Sequence, residues 1–240
     1  MRWVHDSTGR FPRRPHYDAA ELDQACEELI GSHLRIRRAS EPAYPLTTDD
    51  LTVLIEQRAA DLDLYADLSS EGPDVEAVTD FVPGQRPRVR ISQRLSEARR
   101  RGPRLRTTLA HELAHVVFHD FIWWFDAPPD LARAATLSPR CHHGVVSSGV
   151  DWMEWQAAYA AGAMLMPASG LRERFFNPTH PASPWVRSPA ARPRIRLVQA
   201  DFDVSSEAAR VRLLQLGYLA KRPLAVVRAP VPSYVRPRLS

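Results

Sequence analysis

Two histidines and a glutamate lie within one five-residue segment, HELAH at positions 111–115. Residues four apart on an α-helix face the same side, about 6 Å apart along the axis, so His111 and His115 can present both imidazoles to one metal ion. This geometry suits a tetrahedral Zn2+ with Zn–N distances of about 2.0–2.1 Å. Glu112 is placed to orient and deprotonate a water molecule at the metal. The pattern predicts a zinc centre with Glu112 as general base.

The residues around this motif argue against a pair of ordinary core histidines. From Leu109 to Phe118 every residue except His111, Glu112 and His115 is apolar, which predicts a deeply buried helix. Burying a charge and two imidazoles without compensation costs several kcal/mol. A metal ion in a substrate cleft supplies that compensation.

A third ligand must come from elsewhere in the chain. His119 continues the same helix face, but about 12 Å of helix rise separates it from His111, too far for both to share one ion. We therefore expect His119 beside the metal, facing the substrate or at an exposed helix end. Glu154 is the better candidate, because it is the only charged side chain between Trp152 and Leu171, among apolar and small residues. The alternative is an exposed glutamate stabilised by the helix dipole.

The elements that must position these residues follow from local patterns. The chain has 240 residues, 44% hydrophobic and 25% charged, an ordinary globular composition. Apolar spacing predicts helices at about 17–33, 48–55, 102–123 and 151–166, with a helical pair at 195–200 and 205–216. Three short segments predict a small three-stranded sheet: Asp61–Ala66, Val78–Val82 and Val89–Ile91. The sequence predicts a tail or irregular arm for residues 1–17 and mostly surface loop for residues 127–150.

Two segments carry a family resemblance. Thr108–His119 (TLAHELAHVVFH) and Met153–Pro167 (MEWQAAYAAGAMLMP) resemble the ImmA/IrrE-type metallopeptidases, whose H-E-x-x-H motif is paired with a downstream Glu helix ending in Leu/Met-Met-Pro. The resemblance covers roughly residues 45–220. It implies that His111, His115 and Glu154 are the zinc ligands and that Glu112 is the general base.

The resemblance also implies the fold and the activity. The expected fold is a compact, zincin-like α+β domain in which the H-E-x-x-H helix packs on the small sheet and a helical pair follows. The implied activity is zinc-dependent hydrolysis of peptide bonds in a protein substrate, and some family members cleave helix-turn-helix repressors of stress or mobile-element genes. We divide the chain into an N-terminal arm and helix (1–45), a metallopeptidase domain (46–176), and a Pro-rich linker with the helical pair and tail (177–240).

One departure from the family pattern concerns support of the metal ligands. The family often has Asn four residues after the ligand Glu, whereas this chain has Ala158. If that Asn orients a zinc-bound histidine, its loss can cost about 10–100-fold in metal affinity or activity. Asp126, Asp151 or a backbone carbonyl are the candidate substitutes.

Several further features have competing interpretations. Candidate donors to the oxyanion of the reaction are His119, Tyr159, His142 and His143, none favoured by spacing. An extended substrate could pair with an exposed edge at 89–92 (VRIS).

The segment Cys141–His143 is more often inert than an auxiliary ligand, and Ile122–Phe125 (IWWF) is typical of a core rather than a substrate cleft. The helical pair resembles a helix-turn-helix with Arg210 and Arg212 on its second helix, but pairs that merely pack are commoner.

Composition bears on partners and compartment. No run approaches the roughly 18 apolar residues of a membrane helix, and the first residues lack the apolar stretch of a secretion signal. Two cysteines are too few for a disulfide framework, so we expect a cytoplasmic protein with no membrane partner. All but one of the 32 basic residues are Arg, so the net charge of +4 is read as compositional bias, and direct nucleic-acid binding is not expected.

Two alternatives from other classes stay open. One is a regulator that binds DNA or protein on a metallopeptidase scaffold, with zinc affinity weakened through Ala158. The other is a zinc hydrolase of a non-peptide bond, because H-E-x-x-H specifies the metal and the base but not the bond that is cleaved. The ligand set tolerates manganese as well as zinc.

Overall fold

We describe a computed structural model of the chain, which covers residues 1–38, 44–98, 102–125, 140–142, 151–175 and 183–222. These residues form a mixed α+β fold, with helices packed around a small sheet. The predictions for Asp126, His143 and most of the 127–150 loop lie outside the described residues.

Eight helices lie in these ranges, and every helix predicted from apolar spacing is among them. Their bounds are α1 Ala19–Arg38, α2 Thr48–Glu56, α3 Gln93–Ser96, α4 Gly102–Phe125, α5 Trp152–Leu165, α6 Ala168–Phe175, α7 Ala191–Phe202 and α8 Ser206–Gln215. Polar side chains begin several of them: Thr47 and Asp50 form a capping box at α2, and Asp151 and Ser205 cap α5 and α8. The short helices α3 and α6 were not predicted. Helix α6 begins directly after Pro167, a residue that also favours a break in a helical pattern.

The central sheet contains the three predicted strands, the second of them beginning and ending earlier than the predicted Val78–Val82, and a fourth short one. The bounds are β3 Asp61–Ala66, β4 Val75–Asp80, β5 Arg88–Ser92 and β6 Arg140–His142, in the order β3-β5-β4-β6. β5 is parallel to β3 and antiparallel to β4, and β6 pairs antiparallel with the other side of β4. The segment 89–92 is therefore the middle of the sheet, and its prediction as a free edge was wrong, because both of its sides are paired.

The N-terminal segment forms a hairpin, so its prediction as a tail or irregular arm was wrong. Strands β1 (Arg2–His5) and β2 (Arg13–His16) pair antiparallel. The connecting turn is held by the buried carboxylate of Asp6, which accepts hydrogen bonds from the backbone N–H groups of Thr8 and Phe11. Gly9 supplies the left-handed backbone (φ 71°) that this turn requires. A strand of four residues is too short to show a periodic pattern, and a turn held by one side chain shows none either. This explains the error.

Helix α4 lies at the centre of the packing, against α5, α2 and β4. Its length from Leu109 to Phe118 is buried apart from the half-buried Val117, which confirms the prediction from its apolar sequence. The main buried cluster takes side chains from α1, α2, the sheet, α4, α5 and the C-terminal pair α7–α8. None of the described helices combines the length and apolar composition that crossing a membrane would require.

Candidate metal centre

The two motif histidines lie one turn apart on the buried part of α4. His111 is 8% exposed and His115 is 1% exposed. Their Nε2 atoms are 3.1 Å apart, so both rings point to the same place, as the spacing of four residues predicts. An edge-on contact between the rings, with centroids 4.8 Å apart, maintains this arrangement.

Glu154 reaches the same place from α5. It lies in the first turn of that helix, just after Asp151, whose side chain accepts a hydrogen bond from the N–H of Met153 and pairs with Arg10 at 2.5 Å. The Glu154 carboxylate lies 3.1 Å from His111 Nε2 through Oε2 and 3.4 Å from His115 Nε2 through Oε1. The structure thus brings together the three predicted ligands, although 43 residues separate His111 from Glu154 along the chain.

These three side chains could hold a metal ion. Two ligand atoms about 2.0–2.1 Å from a tetrahedral zinc are about 3.3 Å from each other. His111 Nε2 lies 3.1 Å from both His115 Nε2 and Glu154 Oε2, close to this separation, and His115 Nε2 lies 3.4 Å from the other Glu154 oxygen. With one ligand atom taken from each residue, the three atoms lie within 4.8 Å of one another. Among the described residues this is the one group of histidine, cysteine and carboxylate side chains with such geometry. The donor set admits more than one divalent metal, so the geometry leaves its identity open.

Glu112 lies next to this group in a fully buried position. The Thr79 hydroxyl of β4 donates a hydrogen bond to Oε2 at 2.5 Å, whereas no described residue donates one to the buried Oε1. Burial raises the pKa of Glu112, although the charges of His111 and His115 and the Thr79 hydrogen bond oppose this. A buried carboxylate oxygen without a donor is costly in an isolated core. An oxygen with these surroundings has lone pairs free to accept a proton.

The electrostatics of the site also favour a cation. Burial alone would raise the pKa of Glu154, but its contacts with the His111 and His115 rings outweigh burial and hold that pKa far below its ordinary value. Burial alone would lower the pKa of His111, but Glu154 and Glu112 outweigh it and raise that pKa. The carboxylates of Glu154 and Glu112 thus favour a positive charge at the imidazoles, and a divalent cation would supply that charge in place of a proton.

His119 lies beside the candidate metal centre and is not one of its ligands. This agrees with the prediction that helix rise separates it too far from His111 for both to bind one ion. It is fully buried, with Trp152 packed edge-on against its ring. Its Nδ1 is 3.0 Å from Nδ1 of His115, and its Nε2 is 3.0 Å from Oε1 of Gln156. Burial and the neighbouring His115 lower the pKa of His119 well below its ordinary value.

Other predicted residues have different neighbours. Tyr159 donates its hydroxyl to Asp23 of α1 at 3.0 Å, so it is not available to an oxyanion at the metal. Ala158 is exposed, and Asp151 is engaged with Arg10 rather than with a metal ligand. Of Cys141 and His142 the structure describes only the backbone, in β6.

Two further predictions concern groups away from the metal. Ile122 and Trp123 are buried, and Trp123 stacks on Phe81 with centroids 5.3 Å apart, which favours the core interpretation for these two residues of the IWWF segment. Trp124, by contrast, is 50% exposed. Arg212, a candidate DNA contact, is 1% exposed. It donates to Asp23 and to the carbonyl of Met166, so it cannot reach a phosphate backbone.

Comparisons with known proteins add no assignment. No model of a known protein family matches the chain, and no curated protein matches it. The site therefore has to be interpreted from its residues and geometry alone.

Three contributors to the site were missed from the sequence: Thr79, Gln156 and the carbonyl of Pro15. Gln156 carries a usable signal, because an amide in an otherwise apolar helix needs partners when that helix is buried. Thr79 lies in a strand of buried residues, where a single hydroxyl is common and gives no such signal. A backbone carbonyl leaves no trace in the sequence.

Proposed function

We propose that this protein is a zinc-dependent metalloendopeptidase of the ImmA/IrrE type, with a zincin-like active-site arrangement. The observation that carries the proposal is the convergence of His111, His115 and Glu154 beside the Glu112 carboxylate, whose Oε1 is buried without a donor among the described residues. The motif resemblance of Thr108–His119 and Met153–Pro167 supports the choice of a peptide bond as the target. The same resemblance makes a helix-turn-helix repressor a candidate substrate in the cytoplasm.

His111, His115 and Glu154 would hold the zinc ion and leave it open to water or substrate. When bound, zinc supplies Lewis acidity that polarises a carbonyl and lowers the pKa of water toward about 7. Glu112 accepts a proton from the attacking water at Oε1 and then delivers it to the nitrogen of the leaving amine. Thr79 holds the other oxygen of Glu112, so the carboxylate keeps one orientation through both transfers.

The substitution Glu112→Gln tests the proposal. It keeps the size of the side chain but removes the proton acceptor, so we expect cleavage to fall about 10²–10⁴-fold. Zinc content should stay near that of the unsubstituted protein, because all three ligands are retained in this variant. The measurements are elemental analysis of zinc and mass spectrometry of new peptide termini, with denatured casein and a randomised peptide library as substrates.

A second variant, His111→Ala, separates metal binding from proton transfer. It should lose both zinc and cleavage, whereas Glu112→Gln should lose cleavage alone. Full activity in Glu112→Gln would contradict the role of general base. Absence of bound metal in the unsubstituted protein after zinc is supplied would contradict the metal centre, and would favour a regulator on this scaffold. Bound zinc with hydrolysis only of non-peptide substrates would point to a different hydrolase.

A further inference from the structure

A chain of three hydrogen bonds leads away from the candidate metal centre to the N-terminal hairpin. His115 Nδ1 faces His119 Nδ1 at 3.0 Å, and His119 Nε2 faces Gln156 Oε1 at 3.0 Å. The Gln156 amide nitrogen then donates to the backbone carbonyl of Pro15 at 3.0 Å. His119 and Gln156 are 0% and 1% exposed, and His115 is 1% exposed, so water does not compete for these bonds.

The Pro15 end determines the direction of every bond in this chain. A carbonyl oxygen only accepts, so the NH2 group of Gln156 must face Pro15 and its oxygen must face His119. The amide oxygen likewise only accepts, so His119 carries its hydrogen on Nε2. The Nδ1 of that tautomer is an acceptor, so the hydrogen between the two rings belongs to Nδ1 of His115. The Nε2 of His115 is then left with its lone pair, on the side of His111 and Glu154.

We infer that His119 and Gln156 are positioning residues that hold His115 in the tautomer and orientation needed to bind a metal through Nε2. This inference rests on the metal centre proposed above, and it adds a role to a buried histidine that the hydrolytic steps do not use. A ligating histidine commonly donates its other N–H to a fixed partner. Here that partner is a histidine from the next turn of the same helix.

Position 158 takes no part in this support. The side chain at position 158 is exposed, and the orienting contact to His115 comes from His119 instead. The support extends to the N-terminal hairpin, because Pro15 lies on β2. The hairpin is itself attached to the start of α5 through Arg10, which pairs with Asp151. The hairpin therefore belongs to the structural support of the metal site.

The first test determines the tautomers directly in the unsubstituted protein. Long-range 1H–15N correlation spectra of the zinc-loaded protein should show His119 protonated on Nε2 alone and His115 protonated on Nδ1. Protonation of His119 on Nδ1, or on both nitrogens, would overturn the inference. Because no substitution is involved, the result does not depend on whether a variant folds.

The second test compares zinc affinities by competition with a chromophoric chelator. The substitution His119→Leu removes the acceptor, and we expect zinc to bind about 10–100-fold more weakly. His119→Asn offers its side-chain oxygen near the former Nδ1 and should restore part of this loss. The visible absorption spectrum of the Co2+-loaded protein should also change in His119→Leu, because the His115 ring loses its orientation.

A matched control is available in His33, another buried histidine, which contacts Asp50 on α2. His33→Leu should lower the melting temperature of the metal-free protein but leave zinc affinity unchanged. Equal zinc affinity in His119→Leu and the unsubstituted protein would overturn the inference while leaving the proposed function intact. Failure of the unsubstituted protein to bind zinc would instead overturn the proposed metal centre itself.

Discussion

The two carboxylate oxygens of Glu112 have different surroundings, and this difference bears on its proposed chemistry. Oε2 accepts a hydrogen bond from Thr79, while Oε1 is buried without a donor in the described structure. A hydrogen bond to a charged group contributes about 1.5–3 kcal/mol, so Thr79 both orients the carboxylate and stabilises its ionised form. At the residue scale, Thr79 is therefore the contact that orients the proposed base.

The substitution Thr79→Val tests this role with little change in side-chain shape. We expect kcat/KM for peptide cleavage to fall about 10–100-fold, the range corresponding to one lost charge-assisted hydrogen bond. The hydrogen bond lowers the pKa of Glu112, so its loss raises that pKa further above the ordinary value. The base works in its ionised form, so the acid limb of the pH profile of kcat/KM should move to higher pH.

The control for this experiment is Thr79→Ser, which keeps the hydroxyl and should retain both the rate and the pH profile. Zinc content should be the same in all three proteins, because Thr79 is not a ligand. An unchanged acid limb in Thr79→Val would show that Thr79 does not act on the base.

At the scale of elements, a buried arginine of α8 joins three helices. Arg212 donates to the carbonyl of Met166 at the end of α5 at 3.0 Å, and to Asp23 of α1 at 2.6 Å. Asp23 also accepts the hydroxyl of Tyr159, so one carboxylate links α1 to both α5 and α8. The arginine that resembles a DNA contact in the sequence thus serves the packing of the C-terminal pair against the helix that carries Glu154.

The substitution Asp23→Ala should destabilise the protein strongly, because it leaves the guanidinium of Arg212 buried without its counter-ion. Removing one partner of a buried pair costs about 3–5 kcal/mol. The matched control is Glu207→Ala, which removes the exposed partner of Arg210 on the same helix and should cost about 0.3–0.5 kcal/mol. Free energies of unfolding from urea denaturation of both variants measure the difference, and similar values would contradict the structural role of Asp23.

At the scale of the whole molecule, a metal ion at the candidate centre would crosslink two long helices that share one core. His111 and His115 belong to α4, and Glu154 belongs to α5. Both helices contribute to the main buried cluster, together with α1, α2, the sheet and the C-terminal pair. Unfolding separates the three ligands, so a metal that binds them all must stabilise the folded chain as a unit.

Metal binding should therefore raise the melting temperature of the full chain. Zinc at about 1,000 times its Kd contributes about 4.1 kcal/mol of stability when only the folded state binds it. For a chain of this size, 1 kcal/mol shifts Tm by about 2–4 °C, so we expect a rise of about 8–16 °C in scanning calorimetry. His111→Ala should show almost no rise, and an equal rise in this variant would place the metal elsewhere.

Local patterns predicted the parts of this protein that depend on one element at a time. The spacing of His111 and His115 on a helix determines that they face together, and the lone carboxylate of Glu154 in an apolar helix marks a partner for them. The positions of the long helices and of the three main strands followed in the same way, because the period of a helix or strand is a property of neighbouring residues.

The contacts that complete the site depend on tertiary packing, because they join residues distant in sequence. Thr79 meets Glu112 across 33 residues, and Gln156 meets Pro15 across 141. Which strand occupies the middle of the sheet, and whether Arg212 faces solvent or Asp23, are likewise decided by how whole elements dock. Periodicity specifies the direction of a side chain within its own element, but its partner depends on the position and register of another element.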